Sequence, residues 1–101
     1  MLETKIIFDN RNRYWNTDRK YNLLFIRHTE HYTNEMLAKN GWLSLNDIYG
    51  YFGLPKIIEA QVFGWRYSAG YDEQLACVRF DVHDGDGPDI EFDLQNIVRL
   101  I

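Results

Sequence analysis

Phe80-Asp81-Val82-His83-Asp84-Gly85-Asp86-Gly87-Pro88-Asp89-Ile90-Glu91-Phe92-Asp93-Leu94-Gln95 reads as strand, turn, strand. Apolar and polar residues alternate on both sides of a centre that holds Asp-Gly twice and then Pro. Alternation of period two marks a strand with one buried face, and Asp-Gly and Pro are turn chemistry. Phe80, Val82, Ile90, Phe92 and Leu94 should face a core. Asp81, His83, Glu91 and Asp93 should then share the outer face, with Asp84, Asp86 and Asp89 crowning the turn.

Upstream, Leu75 to Val82 extends the first of these strands. Val62, Phe63 and Trp65-Arg66-Tyr67 begin another, with a turn at Ser68–Asp72. The expectation for residues 62–101 is an acidic three-stranded antiparallel meander, with Ile97, Val98, Leu100 and Ile101 as a docked apolar tail. Before it the period is helical. Thr17 or Asp18 is suited to an N-cap, Arg19–Lys39 to a helix, and Asn40-Gly41 to its left-handed stop. Tyr21, Leu24, Phe25, His28, Tyr32, Glu35 and Met36 fall on roughly one face at three- and four-residue steps, but Leu23 and Ile26 break it, which leaves Tyr21–Ile26 open to a strand reading instead. Ser44 caps a second helix, Leu45–Phe52, with Asp47 in its first turn suiting the helix dipole. Leu45, Ile48, Tyr49 and Phe52 make its apolar face, and a further helical turn fits 56–61. Lys5–Phe8 fits a short strand and 9–17 a polar loop. The fold class expected is α+β: N-terminal helices followed by the meander. Residues 1–101 form one domain by length, with strand and loop in 1–20, a helical part in 18–62 and the meander in 62–101.

The chain is 46% hydrophobic and 16% aromatic, which fits a packed core in a small domain. Cys77 is the only cysteine, so no intrachain disulfide is possible. No run approaches the ~20 apolar residues of a membrane span. The first residues lack a signal-peptide pattern, so a cytoplasmic location follows by elimination. The net charge of −4 is unevenly spread. Residues 1–71 hold nine Lys/Arg and seven Asp/Glu, whereas 72–101 hold two and eight. An acidic half argues against direct nucleic-acid binding and suits a basic protein partner.

Tyr32-Thr33-Asn34-Glu35-Met36-Leu37 and Gly41-Trp42-Leu43-Ser44-Leu45-Asn46-Asp47-Ile48-Tyr49, continued by Phe52-Gly53-Leu54-Pro55, form a recognisable run. With Gly64-Trp65 and the apolar end Val98-Arg99-Leu100-Ile101, it resembles uncharacterised small proteins of phages and prophages of Gram-positive bacteria. The similarity covers about two-thirds of the chain, and the relatives carry a longer N-terminal part. It implies a phage origin and brings no activity and no site.

Candidate chemistry is thin. His28 and His31, three residues apart near Glu30 and Glu35, fall short of the three or four ligands a metal needs. The Asp84–Glu91 run imitates a calcium loop, but Pro88 stands where its fifth position needs a ligand and Asp89 where its sixth needs glycine. Cys77 lies in an apolar run with acidic neighbours, a setting for an inert thiol. Asp81 with Glu91 or Asp93 is a formal carboxylate pair, but acids on a hairpin's outer face are ordinarily solvated. No glycine-rich phosphate loop or nucleophile elbow occurs. No cofactor, no metal and no enzymatic activity are therefore expected.

Two binding readings remain. Leu43–Trp65 can be read as a helix-turn-helix with 56–63 as recognition helix, though that segment has one cation and one acid where phosphate contacts need several Lys/Arg. The acidic meander is the sharper feature. Asp81, Asp84, Asp86, Asp89, Glu91 and Asp93 on a twisted sheet can imitate a row of phosphates and engage a basic groove. Joined to the implied phage origin, this gives the expectation of a non-enzymatic inhibitor of a host nucleic-acid-handling protein, for example a defence effector such as a CRISPR nuclease. Trp15, Trp42 or Tyr71 would supply aromatic anchors. A helix-turn-helix regulator and a phage assembly accessory are the alternatives.

Overall fold

A computed structural model describes residues 4–67 and 77–101. The chain runs through β1 (Lys5–Phe8), α1 (Arg19–Asn40), β2 (Trp42–Ser44), α2 (Leu45–Tyr51), a 3-10 turn (Glu59–Gln61), β3 (Phe63–Arg66), β4 (Arg79–Val82), β5 (Ile90–Gln95) and β6 (Val98–Arg99). The α+β class stands, but the single meander expected at the C-terminal end is not formed. The strands make two three-stranded antiparallel sheets, ordered β1-β5-β4 and β2-β3-β6, and both helices lie in the middle of the chain. The strand that opens the acidic part, β3, pairs with β2 and β6 rather than with β4. The first strand supplies the neighbour instead: Ile6 stands opposite Phe92 and Phe8 opposite Ile90. These partners lie far apart in sequence, where local alternation carries no pairing information. The expected turn at Ser68–Asp72 and the strand start at Leu75 lie outside the described residues.

Helix α1 begins and ends where its caps direct. The Asp18 carboxylate accepts the Lys20 N–H at 2.9 Å, and Gly41, at φ 85°, donates its N–H to the Leu37 carbonyl. The buried face is not the one its apolar residues suggest. The buried positions are Asn22, Ile26, Thr29, Thr33 and Leu37, while Leu24 is 71% exposed and Tyr21, His28, Tyr32 and Glu35 are exposed as well. The polar members of this stripe are satisfied locally. Thr29 Oγ1 donates to the Phe25 carbonyl and Thr33 Oγ1 to the Glu30 carbonyl, both at 2.8 Å. A satisfied hydroxyl buries at little cost, so the helix packs a mixed face that hydrophobic periodicity misreads.

Ser44 and Asp47 close a reciprocal capping box at the start of α2. Its apolar face is the expected one, with Leu45, Ile48, Tyr49 and Phe52 all buried. The Phe52 ring lies against Phe8, Phe25, Phe80 and Phe92, with centroids 5.3–6.2 Å apart. The high aromatic content is thus spent at the centre of the core, where tilted and edge-on ring pairs add to area burial. Trp65, also buried, ties the sheets together: its indole N–H donates to the Gln95 carbonyl of β5 at 2.8 Å.

The segment read as a recognition helix, 56–63, holds only the 3-10 turn at Glu59–Gln61. Asn46 organises it, accepting the Ile57 N–H and donating to the Ile57 carbonyl. Among the described residues no helix is long and apolar enough to cross a membrane.

Candidate protein-binding surface

Strands β4 and β5 and the loop between them carry all six acids expected to meet a partner: Asp81, Asp84, Asp86, Asp89, Glu91 and Asp93. The inward set is as expected: Phe80, Ile90, Phe92 and Leu94 are buried and Val82 is half-buried. The register sets Asp81 directly opposite Asp93, with Glu91 and Asp93 on β5 facing Ile7 and Lys5 of β1. Asp81, Glu91 and Asp93 therefore share one face. Like charges directly opposite repel, and the face is not left as a bare row of carboxylates. His83 Nε2 sits 2.6 Å from Asp93 Oδ2, and its Nδ1 lies 3.7 Å from Glu91 Oε2. Lys5 Nζ reaches Glu91 Oε2 at 3.1 Å. Lys5 and Arg79 also stand on this face by register. The expected phosphate-like row is thus interrupted by Lys5, which β1 brings to this sheet, and by Arg79 and His83 from β4 and its end.

The loop is different. Asp84, Asp86 and Asp89 are exposed, and among the described residues none of the three takes part in an ion pair. Their main chain is nevertheless held. Arg19, at the start of α1, donates from Nη1 to the carbonyls of Gly87 at 2.7 Å and Asp89 at 2.8 Å, and from Nη2 to that of His83 at 3.3 Å. Asn22, fully buried one turn further on, donates to the Pro88 carbonyl at 2.9 Å. The same side chain donates to the Asn16 carbonyl and accepts the Asn16 N–H. An Arg fork suits several carbonyls at once. The carboxylates project from a loop whose backbone is fastened to α1 at both ends.

The outer edge of β4 is fastened to the same helix. Val78 exchanges hydrogen bonds with Asn34, its N–H to Oδ1 at 2.7 Å and Nδ2 to its carbonyl at 2.8 Å. Phe80 donates to Glu30 Oε2 at 2.6 Å, and its carbonyl accepts from Arg27 Nη1 at 2.9 Å. Arg27, Glu30 and Asn34 thus stand in for a neighbouring strand, which covers an edge that would otherwise invite pairing.

Arg19, Asn22, Arg27, Glu30, Asn34 and Lys5 were missed as contributors to this surface. A signal was present for Arg27, Glu30 and Asn34, whose spacing lines one helical face with groups that can bond to backbone. Of the proposed aromatic anchors, Trp42 is 49% exposed but belongs to the other sheet, Trp15 is half-buried, and Tyr71 lies outside the described residues. His31 pairs with Glu35 at 3.0 Å. Among the described residues no three His, Cys, Asp or Glu side chains gather as metal ligands.

No curated protein and no solved structure matches the chain. A family model does: over residues 2–95 the chain matches, and so belongs to, the Family of unknown function (DUF6353).

Proposed function

We propose that the protein is a non-enzymatic binding module that engages a basic groove on a protein partner. Asp84, Asp86 and Asp89 make the leading contacts, with Asp81, Glu91 and Asp93 beside them. One observation carries the reading: among the described residues the loop carboxylates have no ion-pair partner, while their main chain is tied down by Arg19 and Asn22. A loop ordered before binding loses little entropy on binding. Unpaired acids accelerate encounter with a basic surface and favour it over an acidic one. Grooves of that charge are what nucleic-acid-handling proteins present to phosphates. The likeness of 32–55 to phage and prophage proteins supports a host protein of that kind as the target, and inhibition, for instance of a defence nuclease, as the consequence.

The test is retention from a lysate of Gram-positive cells by the immobilised protein and by an Asp84→Asn/Asp86→Asn/Asp89→Asn variant. The loop is the better place to change charge, because Glu91 and Asp93 are engaged with Lys5 and His83. The expected result is a nucleic-acid-handling protein held by the wild type and released by the variant. Equal retention by both, or retention of no basic protein, would overturn the reading.

A further inference from the structure

The two edges of the β1-β5-β4 sheet are treated oppositely. α1 covers the β4 edge, whereas the outer edge of β1 has no partner among the described residues. The Leu94 N–H donates to the Thr4 carbonyl at 2.8 Å, so even-numbered residues of this strand present their backbone to β5. Alternation then turns the N–H and C=O groups of Lys5 and Ile7 outward. Ile7 is 47% exposed. A cleft of about 490 Å³ opens beside it, lined by Ile7, Asp9, Arg11, Arg13, Gly53 and Leu54 among others.

Charge at this edge points to the occupant. Lys5 is taken by Glu91, and Arg11 holds Asp9 at 2.8 Å. Arg13 has no carboxylate partner among the described residues. Its guanidinium lies 4.8 Å from the Tyr14 ring centroid and donates to Tyr14 Oη at 2.6 Å. A second copy pairing through β1 is a poorer fit, because the acid that borders that strand, Asp9, is already held by Arg11. We infer that the open edge of β1 is a strand-addition site for an extended, acidic peptide segment of a partner protein. The peptide's main chain would pair with Lys5 and Ile7, and one of its carboxylates would meet Arg13. This surface is separate from the acidic loop and does not rest on the function proposed for it.

The probe is a short, end-capped synthetic peptide of alternating valine and glutamate, set against its valine–lysine counterpart. Amide hydrogen exchange of the whole protein is followed by NMR. The glutamate peptide should slow exchange of the Lys5 and Ile7 amides by about tenfold near saturation. It should bind about fivefold tighter than the lysine peptide, a margin of the size an exposed ion pair provides. Arg13→Ala should erase that margin. Ile7→Pro removes an outward N–H without touching the β5 pairing, and should abolish binding of both peptides. The site is overturned if the peptides bind equally or not at all. Protection of the Lys5 and Ile7 amides at high dilution without peptide would overturn it too, since the chain's own residues would then cover the edge. Protection that grows with protein concentration would assign the edge to a second copy and equally overturn the peptide site.

Discussion

The Glu30 carboxylate accepts the Phe80 main-chain N–H at 2.6 Å, across 50 residues of sequence. With Arg27 on the Phe80 carbonyl and Asn34 on both polar groups of Val78, the helix completes the hydrogen bonding of an edge strand. The strand so anchored leads directly into the acidic loop.

Glu30→Ala should cost about 1–3 kcal/mol, because a part-buried N–H then loses its acceptor. Glu30→Gln keeps an acceptor oxygen and should cost clearly less. Urea unfolding of both variants decides it, and equal losses would show that the bond to Phe80 does not matter.

Asn22 and Arg19 should separate stability from loop order. Asn22→Ala removes three hydrogen bonds at a fully buried position, and should cost about 2–4 kcal/mol. Arg19→Ala should cost about 1 kcal/mol while speeding amide exchange through the loop at 83–89. An unchanged loop in Arg19→Ala would contradict the anchoring of the loop backbone by Arg19.

Gly64 is fixed by close approach. A Cβ there would stand 1.9 Å from the Leu43 carbonyl oxygen and 2.8 Å from Ser44 Cα, both backbone atoms of β2. Gly64→Ala should therefore cost more than about 3 kcal/mol or prevent folding. At Gly87 an added Cβ meets nothing within 4 Å, so Gly87→Ala is the control. It should change stability by less than about 0.5 kcal/mol. Thermal unfolding of the pair checks the contrast.

Burial raises the Tyr51 phenol above its ordinary value, with Tyr32 and Asp47 adding to the effect. The folded state thus holds the proton more tightly than the unfolded chain does. The associated stability is complete below about pH 10, the ordinary tyrosine value, and is lost as pH rises through the folded value. Tyr51→Phe should show a shallower loss of stability on the alkaline side in urea titrations run against pH. An unchanged alkaline slope would contradict the assignment.

Much of this was legible in the sequence where local chemistry decides structure. The strand–turn–strand at 80–95, the caps at Asp18, Gly41 and Ser44, and the common face of Asp81, Glu91 and Asp93 all follow from short-range patterns. What failed was long-range or polar. The pairing of β1 with β5, and of β3 with β2 and β6, joins short strands whose alternation does not specify a neighbour. The buried face of α1 was hidden because Asn22, Thr29 and Thr33 bury polar groups that are satisfied by hydrogen bonds. Lys5 and Arg19 reach the acidic surface only through long-range contacts, which local pattern does not show. A cation contributes there only once the fold delivers it.

The proposed binding of a basic protein groove by Asp84, Asp86 and Asp89 is best tested on the affinity of the retained partner. Titration calorimetry over a salt series would compare the wild type with Asp84→Asn/Asp86→Asn/Asp89→Asn. Wild-type binding should weaken as salt rises. The variant, with an unchanged unfolding midpoint, should bind at least about tenfold more weakly and with a flatter salt dependence. Equal affinity and equal salt dependence for the two proteins would rule the proposal out.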